Sequence, residues 1–103
     1  MLRYITKGNV NIKDRPRVYY TAHPNDHARY FDEVRADVYR TEDCVFFYLE
    51  PDDVPDENYL ADLSEMQLFV IPVTSRLLFT ENRVTKSELP VAWQRHIPVL
   101  FQN

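Results

Sequence analysis

The sequence predicts an α/β domain with a mostly parallel sheet. Two observations carry this. Four short runs of aliphatic, aromatic and β-branched residues recur at 17–21, 44–49, 67–73 and 97–101. Segments with helical spacing or helix-start residues separate them, giving the order β-α-β-α-β-α-β. Crossovers of this kind are right-handed and leave successive strands parallel, with helices on both faces of the sheet. The chain has 103 residues and is 45% hydrophobic, enough for one domain and too little for two.

Residues 1–16 read as a polar lead-in. Lys7, Gly8, Asn9, Asn11, Lys13, Asp14 and Pro16 leave too few apolar residues for a regular element. The domain proper spans 17–103. Its first strand, Arg17-Val18-Tyr19-Tyr20-Thr21, stops at the turn His23-Pro24-Asn25-Asp26. Residues 26–40 predict a helix, because Phe31, Val34 and Val38 recur on one face. Residues 44–49 are apolar on both faces, as in a strand covered from both sides. An acidic loop from Glu50 to Glu57 leads to a short helix over 57–65, with Tyr59, Leu60 and Leu63 inward. Pro72 lies in the third run. Pro lacks a ladder donor, so it belongs near that strand's end. Residues 74–86 form a variable stretch, and Ser87 opens the last helix, where Pro90 suits the first turn. Residues 97–101 form the fourth strand.

Composition excludes several functions. Gly8 is the sole glycine, so neither a Gly-rich phosphate loop nor a dinucleotide fingerprint can form. Cys44 is the sole cysteine, which excludes an internal disulfide or a Cys-rich zinc site. The net charge is −4 and the basic residues are scattered, which argues against nucleic acid. No apolar run suits a membrane span, and residues 1–8 lack the apolar core of a signal peptide. The expected compartment is the cytoplasm.

In parallel sheets ligands bind beyond the carboxyl ends of the strands. Those ends fall at 21–23, 50–53, 74–76 and 101–103. Glu88, at the start of the last helix, is placed to face that crevice. On position alone, a favourable interaction with the helix dipole explains it as well. His23 and His27 with Asp26 are too few for a metal site and read as a polar turn. The Asp52, Asp53, Asp56 and Glu57 cluster lacks the alternating oxygens and glycine of a calcium loop. Cys44 reads as a core thiol, Thr74 and Ser75 as turn or cap residues, and Trp93 as packed against the sheet.

Three segments together resemble the Toll/interleukin-1 receptor (TIR) domain, bacterial type. Residues 17–26, RVYYTAHPND, are similar to the family's first box. Residues 62–75, DLSEMQLFVIPVTS, are similar to its helix leading into the third strand. Ser87-Glu88-Leu89-Pro90-Val91-Ala92, followed by Ile97-Pro98-Val99-Leu100, is similar to its catalytic-helix segment. The resemblance implies a flavodoxin-like three-layer fold, here with a four-stranded sheet in order 2-1-3-4. A fifth strand and last helix would follow, so the domain reads as C-terminally incomplete with an open edge on its fourth strand.

The family resemblance also implies function. Many members cleave NAD at the nicotinamide–ribose bond when self-associated; others are non-catalytic scaffolds. Glu88 would be the catalytic carboxylate. Thr21, Ala22 and His23 would line the crevice under the nucleotide, with Thr74 and Ser75 on the neighbouring strand end. Glu50 and Asp52 would gate it. NAD would be substrate, with no cofactor or metal, and the partners would be other TIR domains. The chain departs from the family at Val84, where Trp is frequent, in its acidic second loop, and at His23, where Arg or Lys is frequent. A receiver-like or nucleotide-binding flavodoxin-like domain is a third reading, ranked below these because Thr21–His23 and Thr74–Ser75 occupy the positions where a receiver needs acidic residues.

Overall fold

A computed structural model describes residues 2–6, 14–41 and 44–102. The strands are β1 (Arg3–Thr6), β2 (Arg17–Tyr20), β3 (Val45–Tyr48), β4 (Leu68–Pro72) and β5 (Val99–Gln102). The helices are α1 (His27–Thr41), α2 (Tyr59–Leu63), α3 (Ser75–Phe79) and α4 (Leu89–Arg95). A π-helical turn, Val84–Glu88, runs directly into α4.

The sheet order is β1-β3-β2-β4-β5. β3, β2, β4 and β5 are parallel, while β1 pairs antiparallel with β3 from Arg3 opposite Tyr48 to Thr6 opposite Val45. The expected four-stranded sheet in order 2-1-3-4 is therefore corrected to five strands. The added strand comes from residues expected to hold no regular element. Of that lead-in, Gly8 and residues 7–13 as a whole lie outside the described residues. Leu2 is buried beside β1, and a bidentate contact from Arg3 to Asp53, at 2.7 and 2.9 Å, fastens the strand to the loop after β3.

Strand alternation builds two cores. Tyr19 and Phe69 point to one face, where they join Leu63, Met66, Ala92 and Ile97. Val18, Tyr20, Phe46 and Val70 point to the other, against Val34, Val38 and Cys44. The predicted stripe of α1 thus faces the sheet, with Phe31 packed at its margin. Fully burying a large apolar side chain stabilises by roughly 1.5–3 kcal/mol, so these two layers hold the helices in place. A third cluster, Ile71, Leu77, Val84 and Leu89, seats α3 and the π turn at the β4 side.

Four local expectations are corrected. Trp93 is 66% exposed rather than packed on the sheet, and Leu60 is exposed while Leu63 alone of α2 is fully buried. The variable stretch contains α3. Its N-cap is Thr74, whose hydroxyl accepts from the Leu77 amide at 3.2 Å. The last helical segment begins at Val84, before Ser87. Asn82 starts it by accepting from the Thr85 amide at 3.1 Å and donating to the Leu77 and Thr80 carbonyls. Pro90 lies in the first turn of α4, directly after the π turn. Pro72 does end β4. Among the described residues β5 pairs only with β4, and its Leu100 and Phe101 are exposed.

Candidate functional site

Glu88 closes the π turn and is completely buried. Strand alternation directs Tyr19 to the same face, and its hydroxyl donates to Glu88 Oε2 at 2.9 Å. The Tyr59 hydroxyl, from the first residue of α2, donates to the same oxygen. The Arg83 guanidinium forms an ion pair, with Nε 3.5 Å from Oε2, but no hydrogen bond. A π turn closes i to i+5 rather than i to i+4. That spacing stacks residue 83 over residue 88, and the Leu89 amide bonds back to the Val84 carbonyl.

Two polar atoms here lack hydrogen bonds: Glu88 Oε1 and Arg83 Nε, both buried. Burial pushes the Glu88 carboxyl up to about 7, opposed by the Thr21 and Tyr19 hydroxyls. Thr21 acts here through proximity, since Oε1 receives no hydrogen bond of normal geometry. Burial likewise pushes the Tyr19 phenol well above its ordinary value, and the Glu88 charge adds to the shift. An acid near neutrality, with one oxygen held and one free, can exchange a proton or stabilise a developing cation at pH 7.

A second cluster joins the loop after β2 to the loop after β4. Asp26 is buried; it accepts from the Thr74 hydroxyl at 2.5 Å and from Arg76 at 2.8 Å. A third surrounds His27, which is buried among Tyr20, Phe31 and Tyr48 and lies 3.6 Å from Glu50. Burial lowers the His27 pKa, against the Glu50 charge that raises it. Arg83 also acts electrostatically on His27 and on Asp53, so its charge reaches from Glu88 to the β3 end of the crevice.

The predicted site residues therefore separate. Thr21 and Ala22 are buried at the end of β2, with Thr21 beside Glu88. His23 is half-buried, and its Nδ1 accepts from the Asn25 amide. Thr74 binds Asp26, while Ser75 is exposed in the first turn of α3. Glu50 meets His27, and Asp52 is exposed. Glu88 is enclosed, with Tyr19, Tyr59 and Arg83 around its carboxylate.

Sequence reasoning missed Tyr19, Tyr59 and Arg83 as Glu88 partners. Alternation could have found Tyr19, two residues from Thr21 on one strand face. Tyr59 was expected inward, and a buried phenol hydroxyl needs a polar partner. Arg83 gave no signal, because i and i+5 do not face each other on an α-helix.

A cavity of about 200 Å³ lies beside β1 and α2, lined by Leu2, Tyr4, Arg17, Phe47, Asp62, Glu65 and Met66. None of the Glu88 partners lines it, so it is distinct from the enclosed acid. Among the described residues no group of three His, Cys, Asp or Glu side chains could hold a metal ion, and no helix is long and apolar enough to cross a membrane. No protein-family model matches the chain, and neither a curated protein nor a solved structure matches it.

Proposed function

We propose that this chain is a flavodoxin-like domain of TIR type that cleaves NAD at the nicotinamide–ribose bond when self-associated, with Glu88 as the catalytic carboxylate. One observation carries the reading: a buried carboxyl near neutrality, with an unpaired oxygen, stands beside Thr21 at the carboxyl end of β2. Parallel sheets bind their ligands at that end.

In the proposed reaction the C–N bond breaks and its electron pair leaves with the nicotinamide nitrogen. The ribose becomes oxocarbenium-like, and the Glu88 anion stabilises that charge. Water then adds to the sugar carbon and loses a proton, giving ADP-ribose; attack by a ring nitrogen of the adenine would give the cyclic product. Thr21, Ala22 and His23 would lie under the nucleotide, Thr74 and Ser75 beside it, and Glu50 and Asp52 at the entrance. Tyr19, by holding Oε2, would position the carboxylate.

The test is nicotinamide release at high protein concentration from wild type and Glu88→Ala, with circular dichroism as the folding control. Turnover that disappears in a folded Glu88→Ala protein is the expected result. Absence of turnover in wild type across a wide concentration range overturns the reading.

A second reading is a non-catalytic interaction module in which Glu88 only organises the helix start. The enclosure of Glu88 favours it, as do the exposed Leu78, Phe79, Leu100 and Phe101. Concentration-dependent association without NAD loss would decide for it.

A further inference from the structure

The cavity beside β1 and α2 is built from several elements. Arg17 opens β2, Phe47 belongs to β3, and Tyr4 lies on the edge strand β1 just after Leu2. Asp62, Glu65 and Met66 close it from the end of α2 and the turn that follows. Spaced at i, i+3 and i+4, these three share one side of a helical turn. Arg17 starts β2 and Met66 precedes β4, so the cavity lies toward the amino ends of the parallel strands. Glu88, beside Thr21, stands at the carboxyl ends.

The cavity wall is apolar. Leu2 and Met66 are buried, and the Tyr4 and Phe47 rings pack at a centroid distance of 5.8 Å. The volume, about 200 Å³, exceeds the ~150 Å³ that holds a benzene ring. It falls short of the roughly 300 Å³ at which drug-sized ligand sites begin.

Charges of both signs line this cavity without meeting. Among the described residues Arg17, Asp62 and Glu65 form no ion pair with one another or with any other group. Arg17 is held from behind instead. Its Nε donates to the Glu65 carbonyl at 2.8 Å, its amide donates to Gln67 Oε1 at 2.7 Å, and its carbonyl accepts from the Gln67 amide at 2.8 Å. These bonds fix the guanidinium and leave both Nη atoms without a partner. Among the described residues the buried unpaired side-chain atoms belong to Arg83 and Glu88 alone, so the Arg17 Nη atoms and both carboxylates reach solvent.

We infer that this cavity binds a free α-amino acid with an apolar ring or branched side chain. The side chain would enter between Leu2, Met66 and the Tyr4–Phe47 pair. The ligand carboxylate would accept from the Arg17 Nη atoms, in the two-pronged geometry a guanidinium favours. The ligand ammonium would donate to Asp62 and Glu65. A ligand carrying both charges answers all three groups, whereas one carrying a single charge leaves the other sign unanswered and faces a like charge. No residue of the proposed NAD reaction takes part, so the assignment stands apart from that reading.

The experiment is calorimetric titration of the whole protein with L-phenylalanine, L-leucine, phenethylamine and 3-phenylpropionate. The last two carry the same ring with only the ammonium or only the carboxylate. At least one amino acid should bind with a dissociation constant below about 1 mM. Each single-charge probe should bind at least about tenfold more weakly than L-phenylalanine, as expected for a lost charge-assisted hydrogen bond. The double variant Asp62→Asn, Glu65→Gln has no side-chain bond to lose, and circular dichroism checks its fold. It should bind L-phenylalanine about tenfold more weakly and 3-phenylpropionate no more weakly than wild type. Arg17→Lys keeps the charge without the fork. It should weaken L-phenylalanine and 3-phenylpropionate and leave phenethylamine unchanged.

Failure of both amino acids to bind at about 10 mM overturns the assignment. So does a single-charge probe that binds as tightly as L-phenylalanine, or an equal loss of L-phenylalanine and 3-phenylpropionate in the double variant. Binding in a wild-type protein that releases no nicotinamide upholds the amino-acid site while removing the NAD-cleavage reading.

Discussion

Tyr19 and Glu88 stand 69 positions apart, yet the Tyr19 hydroxyl donates to Glu88 Oε2 over 2.9 Å inside the core. The bond joins the central strand β2 to the π turn ahead of α4. Its acceptor is a charge taken out of water, which is expensive unless every lone pair is engaged. Here Oε1 is not. Position 88 therefore costs stability, and that cost can be measured.

The cost has a sign in pH. Burial raises the Glu88 pKa from 4.5 to about 7, so between those values the folded protein binds more protons than the unfolded chain. Stability attributable to this group is fully present below about pH 4.5 and is lost as pH rises through about 7, a difference on the order of 3 kcal/mol. Glu88→Gln should therefore be more stable than wild type at pH 8, by on the order of 1–3 kcal/mol, and equally stable near pH 4.5. His27 acts oppositely. Its lowered pKa gives stability that is fully present above about pH 6.5 and lost as pH falls below it. Removing Glu88 should thus leave a profile that rises with pH below 6.5. Urea unfolding of both proteins from pH 4.5 to 8 checks this, and a Glu88→Gln protein less stable at pH 8 contradicts it.

Thr74 performs two tasks. It accepts from the Leu77 amide and donates to buried Asp26. A lost helix cap costs about 1 kcal/mol, and a lost hydrogen bond to a charged group about 1.5–3 kcal/mol. Thr74→Ala should destabilise by about 2.5–4 kcal/mol, and Thr74→Ser, which keeps the hydroxyl, by less than about 1 kcal/mol. Chemical denaturation distinguishes the two, and equal losses would show that the methyl group matters rather than the hydroxyl.

His96 ends α4 in the left-handed region, at φ 57° and ψ 37°, with its amide on the Ala92 and Trp93 carbonyls. A side chain with a Cβ pays about 1–2 kcal/mol there, and glycine does not. The ring is exposed, so its removal forfeits no core contact. Because glycine also loosens the unfolded chain, His96→Gly should gain a net 0.5–1 kcal/mol or so, raising the melting temperature by a few degrees. A lower melting temperature would show that the imidazole itself supports the helix end.

Much of this architecture is legible in the residues. Val34 and Val38 announce the buried face of α1, and Pro72 marks the end of β4. β1 is not legible, because Arg3-Tyr4-Ile5-Thr6 is short and half-exposed, and its place depends on pairing with β3 about 40 residues away. α3 hides because Leu78 and Phe79 face outward, leaving only Leu77 as a buried apolar residue. Of the candidate site, Glu88 could be singled out from its place at a helix start. Its enclosure could not, because Tyr59 reaches it from the separate short helix α2 and Arg83 through a turn whose period differs from that of the α-helix.

The π turn makes the position of Glu88 a matter of counting. An α-helix advances about 100° per residue, so removing one residue from the turn between Arg83 and Glu88 would let it relax to α-helical spacing and rotate Arg83 by that angle against Glu88 and the helix that follows. The guanidinium would leave the carboxylate without any change in the identity of either. An insertion or deletion inside this segment would therefore break the ion pair as surely as replacing Arg83, whereas chemically conservative exchanges at the exposed Thr85 and Lys86 should be silent.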